Sequence, residues 1–358
     1  MILDRSRSYR GLAARLSRTA VLLGARILAL AIAALGAGTA HAEPVRIGVS
    51  ERMAAAPLHV AANRGYFERE GLEVVLTVVA DGDALVEGLA EKRFDLATLG
   101  TNRLLQANAT GLDLRGAYVL ARSGTADALV ADGDIADTRR LRGRRVAVVP
   151  DSPGDLLLRW ALQRKGRRLA NVEVVPLGGD AAVRALLDGD VDAAALHGLD
   201  LGAFAEDATA EGTTTARFRT LATAADTPGL VDDLLVGAEP SLDTGKTVTK
   251  GVVRAIDRAI GWMRRHPEET RALLGNVDVD ADTGMTRKAR GVALAGALRG
   301  TAFLDVAENM DLLRGEFQKA FSRMSEVLDA GGVERAREVP SANRFLALSA
   351  LRQVAAGR

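Results

Sequence analysis

Cysteine is absent from all 358 positions, which excludes disulfide stapling, thiol catalysis, thiolate metal sites and a lipid anchor on an N-terminal cysteine. Aromatic residues make up only 4% of the chain, too few for stacking on a flat ring to be the expected mode of recognition. Histidine is also scarce: apart from His41 there are only His59, His197 and His266. No HExxH helix and no GxSxG elbow surrounds them. Gly245-Lys246-Thr247 fails as a phosphate loop because Pro240 occupies the place of its first glycine. The chain is therefore not expected to be an enzyme, and no cofactor or metal site is expected.

A long apolar run is missing too. Arg5, Arg7, Arg10, Arg15 and Arg18 precede the apolar segment Ile27 to Leu35. Arg26 interrupts the stretch, and the uncharged run after that arginine is well short of the roughly 20 residues that span a bilayer. The segment ends in Ala40-His41-Ala42, an A-x-A pattern, so residues 1–42 are expected to be a cleavable export signal cut after Ala42. The expected location is a bacterial periplasm. Residues 43–358 hold 41 basic and 45 acidic side chains, since 1–42 account for six arginines and one aspartate; the net charge is then −4. Bulk charge thus gives nucleic-acid binding no support. The cluster Arg139, Arg140, Arg142, Arg144, Arg145 reads as a solvated turn.

What the chain does have is a repeated strand-to-helix turn. Val146 to Val149 form an unbroken apolar run, a strand covered on both faces. Pro150 ends it, Ser152 sits where an N-cap belongs and Pro153 where a first helical residue belongs. Leu156, Leu157, Trp160 and Ala161 then make an apolar stripe at helical spacing. Such a turn presents unpaired N–H groups and the positive end of a helix dipole, which favours a small anion or polar ligand. His59, Trp160 and Trp262 lie on apolar helical faces and read as core. Asp83, Ala84, Val86, Leu89, Asp95, Ala97 and Leu99 recur 97 residues later as Asp180, Ala181, Val183, Leu186, Asp192, Ala194 and Leu196. Both copies spell helix, tight turn and strand, followed by a loop: Gly100-Thr101-Asn102 in one, His197-Gly198 in the other.

The expected fold is therefore α/β, with two similar lobes, each an open, mostly parallel sheet, facing each other across a cleft. Ala117 to Leu129 and Arg219 to Leu235 are the expected crossings, with Asp226-Thr227-Pro228 as a hinge turn. Helices are expected at Lys250 to Arg265, Pro267 to Leu274, Thr286 to Leu298, Leu312 to Leu328 and Ala342 to Ala356, packing back on the first lobe.

Four stretches, in order and spacing, resemble the soluble substrate-binding proteins of nitrate/sulfonate/taurine (NitT/TauT) type ABC importers, a family that includes thiamine-precursor binding proteins. They are Pro57 to Val74, Leu89 to Gly100, Leu141 to Asp155 and Leu186 to Ala194, within a resemblance running from about Val45 to Leu274. The resemblance implies a type II periplasmic-binding-protein fold that closes on a small-molecule ligand and is then met by a membrane permease with its ATPase. The expected lobes are a first over 43–121 and 223–305 and a second over 122–222, followed by a helical C-terminal extension over 306–358, and the protein is expected to be a monomer. The positions the resemblance turns toward the ligand are Ser50 and Met53, then Gly100, Thr101 and Asn102, then Ser152, Pro153, Gly154 and Asp155, with His197 as a fourth element. The solute expected is small, polar or anionic, with a sulfonate or taurine-like molecule favoured. Asp81, Asp83, Asp151 and Asp155 would repel an anion unless they point away from it. Three alternatives share the same features: a sensor reporting a ligand to a membrane partner, a thiamine-precursor-type binding protein, and an enzyme on the same fold. Related enzymes, though, depend on a cysteine.

Overall fold

Short apolar runs separated by amphipathic helices build the two layers of the protein. The computed structural model describes residues 43–79, 82–210, 217–238, 242, 246–276, 287–330 and 342–357. In chain order the strands are β1 (Val45–Val49), β2 (Val74–Val78), β3 (Leu96–Gly100), β4 (Leu114–Ser123), β5 (Asp127–Asp132), β6 (Arg145–Ala147), β7 (Glu173–Val175), β8 (Ala193–His197), β9 (Phe218–Thr223), β10 (Asp232–Ala238) and β11 (Thr301–Phe303). They form a six-stranded sheet in the order β11-β4-β10-β3-β1-β2 and a five-stranded sheet in the order β7-β6-β8-β5-β9. The chain leaves the first sheet after Ser123, joins the second at Asp127, and returns between Thr223 and Asp232.

The two-lobed α/β class holds, but the expectation of mostly parallel sheets is corrected: both sheets are mixed. β1 runs parallel to β2 and β3, whereas β10 is antiparallel to β3 and β4, and β11 to β4. In the second sheet β6 is parallel to β7 and β8, and β5 is antiparallel to β8 and β9. The reason is connectivity. Helical crossovers keep their flanking strands parallel, but each strand that carries the chain between sheets enters from the opposite end.

The internal repeat is structural. Helix Gly82–Ala90 and β3 begin 97 residues before helix Gly179–Asp188 and β8. In each copy the repeated aspartate fastens the neighbouring strand. Asp95 accepts the Arg46 backbone N–H at 2.8 Å and pairs with the Arg46 guanidinium. Asp192 accepts the Arg145 N–H at 2.8 Å and pairs with Arg144.

Helix Lys246–Arg265 buries Val252, Val253, Ile256, Ile260 and Trp262 in the core of the first lobe. The C-terminal elements differ from expectation in three ways. The helix expected from Leu312 to Leu328 starts later, as Glu316–Ala330, and a separate helix Val306–Leu312, opened by an Asp305/Glu308 capping box, precedes it. And these segments do not pack on the first lobe alone. Asn309, fully buried, clamps β4 by accepting the Val119 N–H (2.8 Å) and donating to the Val119 carbonyl (2.9 Å). But Phe317, Phe321, Met324, Val327 and Leu328 share a hydrophobic cluster with Leu156, Leu157 and Trp160 of helix Pro153–Gln163 in the second lobe. The helix expected from Ala342 shortens to Ser349–Ala356 because Leu346 bridges to Gly116 of β4. On another side, helix Gly198–Ala210 of the second lobe lies so close to helix Arg287–Arg299 that a Cβ at Gly202 would meet Ala293 Cα at 2.3 Å. No helix among the described residues is long and apolar enough to cross a membrane.

Candidate functional site

A cavity of about 420 Å³ lies between the lobes, at the carboxyl ends of β1, β3, β6 and β8. The starts of four helices open onto it. Gly82 and the Gly100/Asn102 turn come from the first lobe; Ser152, Pro153 and Gly154, and Gly178 with Gly179, come from the second. Ser152 caps its own helix, its Oγ accepting the Asp155 N–H at 3.2 Å. The starts at Gly100 and Gly178 have no side-chain cap, so their first-turn N–H groups remain available to an acceptor in the cavity. Close packing requires small residues here: a Cβ on Gly178 would lie 2.5 Å from Val149 Cγ2. Leu85, Leu99, Val149 and Ala195 add an apolar wall. The arrangement offers hydrogen-bond donors to an anionic head and a dry surface to an alkyl portion.

Of the residues singled out in the sequence, Ser50, Gly100, Asn102, Ser152, Pro153, Gly154 and His197 line this cavity. Met53 lines an adjoining pocket of about 80 Å³, which His197 shares. Thr101 and Asp155 line neither. Thr101 is buried and its hydroxyl donates to the Asp232 carbonyl at 2.9 Å. Asp155 is buried beside Arg159 (3.0 Å) and accepts the Asp151 N–H at 3.1 Å; burial pushes its carboxyl above the usual range even though Arg159 pulls it down. The feared repulsion is relieved in part. Asp83 pairs with Arg103 at 2.7 Å, while Asp81 lies outside the described residues. Val149, read as strand core, is instead 46% exposed at the cavity, because β6 ends at Ala147. Trp160 and Trp262 are buried, whereas His59 is half-buried beside a small pocket.

Sequence reasoning missed the electrostatic centre. Arg52, between Ser50 and Met53, grips Asp127 with Nη1 and Nη2 (3.3 and 3.1 Å) and reaches Asp233 with Nε (3.3 Å). Burial opposes the Arg52 charge, but the two carboxylates outweigh it and raise its pKa. Burial likewise pushes against ionised Asp127, and Arg52 and then His197 overcome it, holding that carboxyl below its ordinary value. Asp233 goes the other way: burial dominates, and its pKa is raised. Asp232 beside it is gripped by Arg122 with two bonds of 2.8 and 2.9 Å. The sequence did carry a signal. Two adjacent aspartates inside the apolar run Leu230 to Val236 require buried cations, and Arg52 and Arg122 supply them.

A second missed group joins the lobes. Asn102 Nδ2 donates to the Asp151 carbonyl at 2.8 Å, and Gln106 Nε2 donates to Asp151 Oδ1 at 3.0 Å. Asp151 holds a left-handed backbone, φ 59°, a conformation that aspartate tolerates better than most residues. It thereby aims both its carbonyl and its carboxylate at the helix Thr101–Ala109 of the first lobe.

Comparison with known proteins bears on the same region. A family model described as NMT1/THI5 like matches residues 53–270. The taurine-binding periplasmic protein of Escherichia coli (strain K12) is 29% identical over 164 residues, 46% of this chain and 51% of its own. A Bacillus subtilis (strain 168) protein named for binding aliphatic sulfonates is 25% identical over 181 residues, 48% of this chain and 54% of its own. The chain thus spans about half the length of the curated relatives it matches. The solved alkanesulfonate-binding protein of Xanthomonas axonopodis pv. citri shares the fold, with a TM-score of 0.64 at 20% identity, covering 86% of this chain and 97% of that one.

Proposed function

The chain belongs to the NMT1/THI5-like family, and on that premise we propose that it is the extracytoplasmic solute-binding component of an ABC importer. It captures a small organic anion between its lobes and delivers it to a membrane permease and ATPase. Its place is the periplasm and its role is binding without catalysis. The solute favoured is a sulfonate of the alkanesulfonate or taurine kind, the ligands for which its relatives are named. One observation supports this reading above the others: helix starts from both lobes, two of them uncapped, open onto one cavity that also has an apolar wall. A sulfonate head presents three acceptor oxygens to such donors, and its alkyl portion suits the wall at Val149 and Leu85. Ser50, Gly100, Asn102, Ser152, Gly154 and His197 are the proposed contacts. Arg52 fixes the loop that carries Ser50 to both lobes.

The test is a thermal-shift screen followed by calorimetry with taurine, alkanesulfonates of increasing chain length, nitrate, bicarbonate, small carboxylates and pyrimidines. Binding at a hundredfold excess over Kd adds about 2.7 kcal/mol of stability. A sulfonate is expected to give the largest shift. A shift with the pyrimidines alone would move the chain to the thiamine-precursor branch, and no shift with any anion would overturn the reading.

A further inference from the structure

We propose that the pole of the second lobe remote from the cavity is a docking surface for a bilayer containing anionic phospholipid. The Arg139 to Arg145 cluster reads in the sequence as an ordinary solvated turn, but the fold sets a second basic loop beside it: Arg164, Lys165, Arg167 and Arg168. Three hydrogen bonds hold the loops together. Thr138 Oγ1 donates to the Ala161 carbonyl (3.0 Å), the Gly143 N–H to the Asn171 carbonyl (2.8 Å) and the Glu173 N–H to the Arg144 carbonyl (2.9 Å). β6 starts at Arg145 and runs toward the cavity, and helix Pro153–Gln163 returns from the cavity to Arg164. Both loops therefore lie at the end of the lobe opposite the ligand site.

Local carboxylates neutralise only part of this charge. Asp137 pairs with Arg139, Asp192 with Arg144 and Arg145, and Asp134 with Arg144, and Glu173, Asp188 and Asp190, exposed at the same end of the lobe, offset a further part. Arg140, Arg142, Arg164, Lys165 and Arg168 are exposed and make no salt bridge among the described residues. Residues 43–358 as a whole are net negative, at −4, so an anionic surface attracts this pole and repels the rest, which orients the molecule. Among the described residues the pole also offers no apolar anchor for a protein partner. Interface cores are built on exposed aromatic or aliphatic anchors, and the large hydrophobic side chains exposed among the described residues, Val75 and Val149, belong elsewhere. An array of cations without an apolar anchor matches a field of lipid phosphates, which arginine forks bind in bidentate fashion.

The experiment is co-sedimentation of the full chain with vesicles of equal parts phosphatidylglycerol and phosphatidylcholine, and with phosphatidylcholine alone. One variant carries Arg140→Gln, Arg142→Gln, Arg164→Gln, Lys165→Gln and Arg168→Gln; a control carries Arg64→Gln, Arg69→Gln, Arg93→Gln, Arg265→Gln and Arg352→Gln. All three proteins share residues 1–42, so their differences read the remote pole alone. With each cation at the surface contributing roughly fivefold, the first variant is expected to bind anionic vesicles at least a hundredfold more weakly. The control should match the unmodified chain, and 0.5 M salt should release both. Variants at Arg140 and Arg142 alone, or at Arg164 and Lys165 alone, divide the loss between the loops and serve if the five-site variant folds poorly. Equal binding by the five-site variant and the unmodified chain overturns the proposal. So does an equal loss in the control, or a loss of retention on heparin with vesicle binding unchanged, which would assign the pole to a soluble polyanion.

Discussion

Arg52→Met keeps most of the side-chain length and removes the guanidinium, leaving the Asp127 and Asp233 carboxylates, only 4% and 7% exposed, without their cation. Breaking a buried pair from one side costs about 3–5 kcal/mol. For a chain of this size that corresponds to a fall in Tm of about 4–7 °C. The two carboxylates should not behave alike. Asp127 receives two bonds and is held low, so Asp127→Asn forfeits charge-assisted bonds and is expected to cost about 2–3 kcal/mol. Asp233 receives one bond of 3.3 Å and its pKa is raised, so Asp233→Asn should cost under about 1 kcal/mol. Their pH dependences oppose each other. The native state holds the Asp233 proton more tightly than the unfolded chain does, so its contribution falls as pH rises from about 3.9 through the raised value. The Asp127 contribution is complete above about 3.9 and is lost as pH falls through its lowered value. Urea melts of the three single variants and of the triple variant Arg52→Met/Asp127→Asn/Asp233→Asn, between pH 2 and 7, read all of this. The triple variant should recover most of what Arg52→Met loses. If Arg52→Met is as stable as the unmodified chain, or the two asparagine variants are equally destabilised with the same pH slope, the assignment of a shared buried cation fails.

Asn102→Ala removes the interlobe bond to the Asp151 carbonyl and is expected to weaken ligand binding roughly fivefold, about 1 kcal/mol; calorimetry with an unchanged circular dichroism spectrum reads it, and unaltered affinity counts against the cavity. Gly202→Ala drives a Cβ to 2.3 Å from Ala293 Cα, a backbone atom, and should cost roughly 1–3 kcal/mol in urea melts. Gly261→Ala, which meets only the flexible end of Arg265 at 3.4 Å, should instead be neutral or stabilising by up to about 1 kcal/mol. Burial lowers the His59 pKa, so the unfolded chain takes up the proton first and stability declines as pH falls below about 6.5. His59→Gln should flatten that decline, and an unchanged slope would show that His59 does not cause it.

Part of this molecule was legible in one dimension because its causes are local. The N-cap of Ser152 and the N1 proline of helix Pro153–Gln163 depend on neighbours in sequence. So does the 97-residue echo, whose repeated aspartates each secure an adjacent strand. The turns at Gly100 and Ser152 came from where strands end and helices begin, and the family resemblance turned them, with Ser50 and His197, toward the cavity they line. Sheet direction was not legible, because it depends on how the crossing strands re-enter. Nor was the role of Thr101, whose hydroxyl is claimed by a carbonyl 131 residues away. Arg52 escaped notice because its meaning lies in Asp127 and Asp233, and Asp151 because its partners are Asn102 and Gln106 across the gap. Local chemistry determined which segments could present free donors; only the meeting of distant segments decided which charges are buried together, since burial and pairing are properties of the whole fold and not of any stretch within it.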